Sequence, residues 1–300
     1  MSQTRRSDRE AQILRLRHAG EDAAARLPAL QAEARRIAAT VAPGVHGRRR
    51  SGLGETFWQY RHHQTGDGQS DIDWRRSAKT GQLFVRQNEW EAANTVWIWR
   101  DGRPSMDFAS SRRVPTKRDR AAVCVIALAT LLTQGGERVA ALNESGRPRS
   151  GAHGLERVSR HLAIGPGEAA AVDAPALARH GRVILAGDFL DPVETWHARL
   201  DRFAGFEARG VMLRVIDPAE EDFPYTGRTR FRAPGSHDDI LFGRAEDARS
   251  VYQKRWSEHG EQLDALARQR GWVLVTHRTD KPASIPVMAI YQALAGGLAT

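Results

Sequence analysis

Cysteine is almost absent from this 300-residue chain, because Cys124 is the only one and no disulfide can form within the chain. Cys124 lies in the apolar run Ala121–Leu132, which predicts a buried side chain rather than a catalytic nucleophile. That run is 12 residues long, too short to span a bilayer. Met1–Gly20 is charged throughout and lacks the apolar core of a signal peptide. These absences lead us to expect a soluble cytoplasmic protein in a reducing compartment.

The usual motifs of nucleotide binding and of nucleophilic hydrolysis are also missing. The sequence has no Walker A loop, no Rossmann glycine fingerprint, no zinc-spaced Cys/His set and no Gly-x-Ser-x-Gly elbow. Its eleven histidines are scattered, and the adjacent His62 and His63 fall on a predicted strand, where neighbours face opposite sides. The segment Gly66–Trp74 carries three acids, but without the register of an EF-hand loop, so a turn with locally bonded acids is expected there.

Lysine is scarce as well, with four residues, so arginine carries most of the positive charge. The formal net charge is +9, from 45 basic and 36 acidic residues, and residues 1–50 hold 11 Arg against 5 acids. Basic clusters of this kind often contact nucleic acid or anionic membranes. The alternative is a solvated helical arm, which the lack of interleaved aromatic residues favours.

Changes in composition divide the chain into three parts. Residues 1–47 predict a helical basic arm, rich in strong helix formers, and residues 48–94 a small antiparallel β unit. Residues 95–300 predict an α/β domain, because strands and helices alternate there. This pattern is typical of a doubly wound, mostly parallel sheet with helices on both faces.

Three predicted strands of the α/β domain end in an acid. The strand Thr95–Trp99 leads to Asp101, the strand from Arg182 leads to Asp188, and Val211–Ile216 leads to Asp217. The carboxyl ends of parallel strands meet at one edge, where ligands bind in open α/β sheets. We therefore expect these three carboxylates to share an edge.

The remaining elements follow from periodicity and from capping residues. We expect helices at Lys117–Gln134, Leu155–Leu162, Ala174–Arg179, from Pro192 to about Arg209 with Asp191 as its N-cap, at Ala245–Arg270 and at Ser284–Leu294, and further strands at Glu137–Leu142 and Trp272–Thr276. We expect Glu221–Gly243 to be irregular, with its aromatic side chains covering a sheet edge.

The oxygens of Asp101, Ser105 and Asp188 are of the kind that suits Mg²⁺ in an octahedral shell completed by water. Asp217 lies one strand further on and is better explained as a helix or turn cap. Alternatives remain for the other three: Asp101 and Asp188 as strand-end caps, and Ser105 as a turn hydroxyl.

An ordered set of short segments resembles the domain of unknown function fifty-eight (DUF58) family from Arg48 to the C-terminus. Its members carry a Gly-Asp, an Ile-Asp-Trp and a Ser-Ala in that order, ahead of a von Willebrand factor A-like sheet. The matching residues here are Glu55–Tyr60, Gly66 and Asp67, then Asp71, Asp73, Trp74 and Ser77, then Leu83–Arg86 and Asp101–Met106. The resemblance implies a von Willebrand factor A-like fold that works with MoxR-type AAA+ ATPases in metal insertion or complex assembly.

Such domains hold a metal-ion-dependent adhesion site of the form Asp-x-Ser-x-Ser, with a Thr and an Asp from other loops. By this resemblance Asp101 and Ser105 match the first and last positions and Asp188 the later Asp, whereas Arg103 replaces the middle Ser and no Thr can be placed. A guanidinium beside Asp101 and Asp188 opposes a divalent cation and can pair with both acids. Our hypothesis is a degenerate site in which Arg103 takes the place of the metal.

The expected function is therefore that of a non-enzymatic adaptor between a MoxR-type AAA+ ATPase and a client protein, binding through the Asp101–Met106 loop. Two alternatives are a metal-dependent phosphoesterase using Asp101 and Asp188, and nucleic-acid binding through the basic arm. Family members often carry transmembrane helices, and none is found in this sequence, so any membrane contact is expected to be indirect.

Overall fold

The computed structural model describes residues 28–29, 31–42, 57–62, 77, 82–88, 95–144, 147–164, 177, 181–232 and 239–295, with only the backbone described at 57–62, 84–88, 163–164 and 295. The helices are residues 31–42 (α1), Lys117–Gln134 (α2), Gly151–Ile164 (α3), Val193–Ala204 (α4), Pro218–Asp222 (α5), Arg249–Gln269 (α6) and Ser284–Ala295 (α7). The strands are Phe57–His62 (β1), Phe84–Asn88 (β2), Thr95–Arg100 (β3), Arg138–Ala141 (β4), Arg182–Gly187 (β5), Arg209–Ile216 (β6), Thr229–Arg232 (β7), Asp239–Phe242 (β8) and Val273–Arg278 (β9). Short 3₁₀ turns cover Pro104–Asp107 and Ala245–Ala248.

A five-stranded parallel sheet forms the centre of the molecule, in the order β4-β3-β5-β6-β9. Numbered along the chain, these strands run 2-1-3-4-5, a common doubly wound order. The prediction of a mixed α/β protein with a mostly parallel sheet is confirmed. The order reverses beside β3, because the chain leaves β3 for β4 on one side and returns to β5 on the other.

Each face of the sheet is covered by its own hydrophobic core, because side chains alternate along a strand. On one face, Val96 and Ile98 of β3 pack in a core with α1, α2, α3 and α7. On the other face, Trp97 and Trp99 pack in a core with α4 and α6. Burial on both faces explains why these strands read as continuous apolar runs in the sequence.

The helix α2 is buried on nearly all sides, as its apolar composition predicts. It begins at the N-cap Thr116, whose side chain accepts a hydrogen bond from the Asp119 amide, and it ends at Gly135. Cys124 is fully buried in this helix, and burial raises the pKa of its thiol to about 12. A thiol with that pKa stays protonated at neutral pH and is a poor nucleophile.

The helix α1 belongs to the core, so the interpretation as a solvated arm is wrong for residues 31–42. Ala34, Ala38 and Val41 are at most 1% exposed and pack in the same core as α2. Glu33 also lies 3.7 Å from the guanidinium of Arg120 in α2. Small alanine side chains give a weak hydrophobic pattern, so the sequence did not predict that α1 packs in the core. The rest of the predicted arm lies outside the described residues.

Three other expectations need correction. The helix after Pro192 ends at Ala204 rather than near Arg209, since Gly205 follows it. The segment predicted to be irregular contains the hairpin β7–β8; within this segment Phe231 stacks on Phe223, and Phe223 contacts Tyr252 of α6. The predicted helix Ala174–Arg179 lies outside the described residues except for Leu177, which is not helical.

The predicted small β unit is described as one antiparallel pair, β1 with β2. The proposed boundaries at residues 47 and 94 remain predictions. None of the helices in the described part of the chain combines the length and apolarity needed to cross a bilayer.

The packing of α1 makes a testable prediction. Replacing Ala38 with Leu puts a larger side chain into a filled core and should lower the free energy of unfolding by about 1–3 kcal/mol. The same change at the exposed neighbour Ala39 should alter it by no more than about 0.5 kcal/mol. Urea denaturation of both variants measures the difference, and equal effects would mean that α1 is not part of the core.

Candidate functional site

The candidate site lies at the carboxyl edge of the sheet, where the strand order reverses. Asp101 follows β3 and Asp188 follows β5, and both are fully buried. The two strands are held together past their ends, since the Asp101 amide donates to the Ala186 carbonyl at 2.7 Å. Gly187 allows this close approach, because a Cβ there would lie 3.0 Å from the Cβ of Asp101. Crevices at such reversal points are the usual ligand sites of open α/β sheets.

Arg103 binds the carboxylate of Asp101 with both its guanidinium and its backbone amide. Its Nε donates to both carboxylate oxygens, at 3.1 and 2.9 Å, and its Nη2 donates to Oδ2 at 2.6 Å. The backbone amide of Arg103 donates to Oδ1 at 2.9 Å, which closes a tight turn. A separation of two residues makes this bidentate pair local, so ordering it costs little chain entropy.

The same guanidinium joins two further carboxylates. Nη2 of Arg103 lies 3.3 Å from Asp188 Oδ1, and its Nη1 lies 2.6 Å from Asp191 Oδ1. Burial lowers the pKa of Arg103, but its hydrogen bond to Asp101 and the charges of Asp101, Asp191 and Asp188 outweigh burial and raise that pKa above its usual value. Arg103 therefore stays charged and bridges the loops that follow β3 and β5.

A second cation, Lys117, enters the cluster from the first turn of α2. Its ammonium is buried and donates to Asp188 Oδ2 at 3.1 Å and to Glu220 Oε1 at 2.5 Å. Burial raises the pKa of Asp188, but the charge of Lys117, hydrogen bonds from Ser105 and Lys117, and the charge of Arg103 together lower it. Burial also raises the pKa of Glu220, and there it outweighs the opposing charge of Lys117. Lys117, Asp188 and Glu220 thus form a buried ionic triad.

Asp217 serves as a helix cap, as the sequence predicts. Its side chain accepts from the Ala219 amide at 2.8 Å, and Glu220 accepts from the Asp217 amide, which completes a capping box at α5. Its second oxygen accepts from the Ser110 amide at 2.9 Å. Through Glu220, this cap also fixes one partner of Lys117.

The loop after Asp101 is anchored by a buried side chain and by hydrogen bonds from α2. Met106 is fully buried in the core under the 3₁₀ turn. Arg118 donates to the Gly102 carbonyl at 2.9 Å and to Asp107 Oδ2 at 2.9 Å. Ser105 is among the groups that lower the pKa of Asp188, which places it beside the cluster. The loop is therefore ordered by several independent contacts.

The turn after β5 contains a strained residue. Phe189 has a φ of 53°, which is uncommon for residues other than glycine, and its buried ring contacts Trp196 at a centroid distance of 4.5 Å. His259 Nε2 lies 2.8 Å from the Phe189 carbonyl. Strained backbone of this kind clusters at functional sites. The turn leaves the next residue, Leu190, 43% exposed beside Asp188.

The donor set does not fit Mg²⁺. The oxygens of Asp101 and Asp188 that would face a metal already accept from Arg103 and Lys117, and a divalent cation would have to displace both positive groups against their repulsion. Among the described residues, no group of three or more His, Cys, Asp or Glu side chains is arranged to hold a metal ion. The geometry is that of an ion cluster in which each carboxylate is paired with an arginine or lysine of the protein itself.

One prediction about this edge is wrong. Asp191 was expected to cap α4, but Pro192 occupies the N-cap and no side chain caps the helix. Asp191 instead accepts from Arg103 and, at 3.1 Å, from Arg199, whose guanidinium lies over Trp196 at 4.5 Å. The sequence reasoning also missed Lys117 and Glu220. The available signal was Lys117 itself, a scarce lysine at the start of an apolar helix.

The family-motif residues from the β unit cannot be placed around this site. Gly66, Asp67, Asp71, Asp73 and Trp74 lie outside the described residues, and Ser77 is described as buried.

The buried triad predicts a large effect of removing its cation. Replacing Lys117 with Met leaves Asp188 and Glu220 without their partner and should lower the free energy of unfolding by about 3–5 kcal/mol at pH 7. Replacing Lys254 with Met provides the control, because its pair with Glu258 is exposed and should contribute no more than about 1 kcal/mol. Urea denaturation compares the two, and a stability of the Lys117 variant equal to wild type would contradict the triad.

Comparisons with known proteins identify the family. Uncharacterized proteins of Mycobacterium bovis and Mycobacterium tuberculosis are each 26% identical over 246 residues, covering 77% of this chain and 76% of their own. Crystal structures of an aerotolerance-related membrane protein from Bacteroides fragilis and of BatB from Bacteroides thetaiotaomicron share 14% and 16% identity, with TM-scores of 0.36 and 0.33. Each match covers 68% of this chain, together with 99% of the Bacteroides fragilis chain and 98% of the BatB chain. Similarity at these TM-scores supports no functional inference. A family model described as "Protein of unknown function DUF58" matches residues 59–262. The chain therefore belongs to the DUF58 family.

Proposed function

We propose that this protein is a non-enzymatic adaptor that works with a MoxR-type AAA+ ATPase in the assembly or maturation of a client protein complex. The ATPase contacts the carboxyl edge through the Asp101–Met106 loop. The observation that carries this proposal is the ordered loop, in which Arg103 pairs with Asp101, Asp188 and Asp191. We also assign the α/β domain to the von Willebrand factor A-like class, supported by its strand order and by the Asp101 to Ser105 spacing after β3.

A preorganised loop favours binding because little conformational entropy is lost when a partner docks. Arg118 and Met106 fix the loop in the free protein, and the strained turn at Phe189 presents Leu190 next to it. The exposed Pro104 and Leu190 supply apolar contacts at this edge. The edge thus offers a rigid surface with few unpaired charges.

Catalysis finds less support. A metal-dependent phosphoesterase needs an open coordination position and a general base, whereas the carboxylates of Asp101, Asp188 and Asp191 are each bound to at least one cation. Nucleic-acid binding by the basic arm receives no support from α1, whose core contacts come from small apolar side chains.

The replacement of the metal by Arg103 is tested by Mg²⁺ titration. Changing Arg103 to Ser removes the competing guanidinium and restores Asp-x-Ser-x-Ser, so Mg²⁺ affinity should rise at least about tenfold over wild type, or about 1.4 kcal/mol. Lys117 remains and keeps the gained affinity modest. Isothermal titration calorimetry measures it, with the exposed Arg112 changed to Ser as the control. Tight Mg²⁺ binding by the unaltered protein would refute the hypothesis.

The adaptor proposal is tested by direct association with a purified MoxR-type ATPase from the same genome. Changing Pro104 or Leu190 to Glu places a charge at the proposed contact and should weaken the Kd at least about tenfold. Biolayer interferometry with ATP present measures it. Arg160 on α3, which is 63% exposed, is changed to Glu as a control and should leave the Kd unchanged. Absence of any association with the wild-type chain would sink the proposal.

A further inference from the structure

The hairpin β7–β8 stands apart from the central sheet, and its base is firmly held. The Ala245 amide donates to the Gly227 carbonyl at 2.9 Å, and the Gly227 amide donates to Glu246 at 2.7 Å. Arg249 of α6 donates to the carbonyls of Phe223 and Tyr225, at 3.1 and 3.3 Å. These hydrogen bonds fix the base of the hairpin to the start of α6 and to the turn before it.

An aromatic cluster fixes the orientation of the hairpin as well. Phe231 of β7 stacks on Phe223 with a centroid distance of 5.7 Å, and it meets Tyr225 and Phe242 edge-on at 4.9 and 5.6 Å. Phe223 in turn contacts Tyr252 of α6 at 4.7 Å. Such pairs add stabilisation beyond the burial of their area. The two strands are thus presented in one conformation before any partner arrives.

The strand β8 exposes apolar side chains on both of its faces. Ile240 is 64% exposed and its neighbour Leu241 is 49% exposed. Consecutive residues of a strand point to opposite faces, so no partner resting on one face covers both. A strand added along the outer edge of β8 places a side chain beside each of them. No other strand in the described residues pairs with that edge.

The charge on the hairpin indicates what kind of segment fits. Arg230 and Arg232 of β7 are 64% and 62% exposed, and they share a single acid, Asp239, at 3.4 and 3.6 Å. Their register opposite Leu241 and Asp239 places these four residues on the same face. Arg244, just after β8, lies 3.4 Å from Glu246 and 3.7 Å from Asp247, so its charge is already paired. On the face that carries Arg230 and Arg232, the two arginines exceed the single Asp239 in charge, which favours an acidic partner.

We propose that the hairpin β7–β8 binds an extended acidic segment of a partner protein as a third strand beside β8. Two adjacent apolar residues of that segment cover Ile240 and Leu241, and its carboxylates pair with Arg230 and Arg232. Backbone hydrogen bonds supply affinity and the side chains supply specificity. Exposed apolar side chains and Asp239 disfavour nucleic acid, and the arginines of two copies would repel each other. This surface does not depend on the ATPase contact and gives an adaptor its second interface.

Selection from a displayed library of random twelve-residue peptides against the immobilised full-length protein tests the proposal. Enriched peptides should carry net negative charge and an adjacent apolar pair. Their affinity, measured by fluorescence anisotropy, should fall at least tenfold in the Arg230→Glu/Arg232→Glu double variant and at least fivefold in Leu241→Asp. The control Arg160→Glu, which matches these arginines in exposure, should change it less than twofold.

The binding mode has its own readout. Hydrogen exchange of the amides at 239–242 should slow when the selected peptide is bound, and N-methylation of alternate peptide amides should abolish binding. Enrichment of neutral or basic peptides, or retained affinity in the arginine variant, would overturn the proposal. Two other results would also overturn it: tighter binding of a DNA duplex that displaces the peptide, and self-association of the wild-type chain that the arginine variant loses.

Discussion

The bidentate pair between Arg103 and Asp101 is the interaction on which the candidate site depends. A parallel sheet brings the carboxyl ends of its strands together, and here three of those ends carry an aspartate that is fully buried. Buried carboxylates are costly unless each finds a cation or several donors. Arg103 and Lys117 supply the cations for Asp101 and Asp188, and backbone amides satisfy Asp217.

The pairing of these carboxylates with Arg103 and Lys117 also determines which loops are ordered. Arg103 reaches carboxylates on the loops after both β3 and β5, so the two loops are held at a fixed separation. Lys117 ties the start of α2 to the same point and, through Glu220, to α5. A metal would make similar connections, but a guanidinium and an ammonium are covalently part of the chain. The contacts that order this edge are therefore supplied by side chains of the protein itself.

Sequence patterns predicted what is local or periodic and failed where distant residues compete. The apolar runs predicted the sheet, and the position of the acids after those runs predicted that they share an edge. The separation of two residues between Asp101 and Arg103 predicted that the guanidinium would pair with the carboxylate. Asp191 looked like a helix cap because it precedes Pro192, but Arg103, 88 residues earlier, binds it instead. Lys117 and Glu220 meet across 103 residues, and spacing gives no signal for such a pair. The helix α1 was misjudged because alanines pack well without appearing strongly apolar.

The two proposed surfaces are connected through a single short helix. Glu220 of α5 binds Lys117 with its side chain, and its carbonyl accepts from the Tyr252 hydroxyl at 2.6 Å. Tyr252 packs on Phe223, which ends α5 with a φ of 46° and stacks under the hairpin. Displacing α5 would therefore disturb the ion cluster and the aromatic cluster together. In the adaptor that we propose, the edge, the hairpin and the helix bonded to both would hold two partners in a fixed relation.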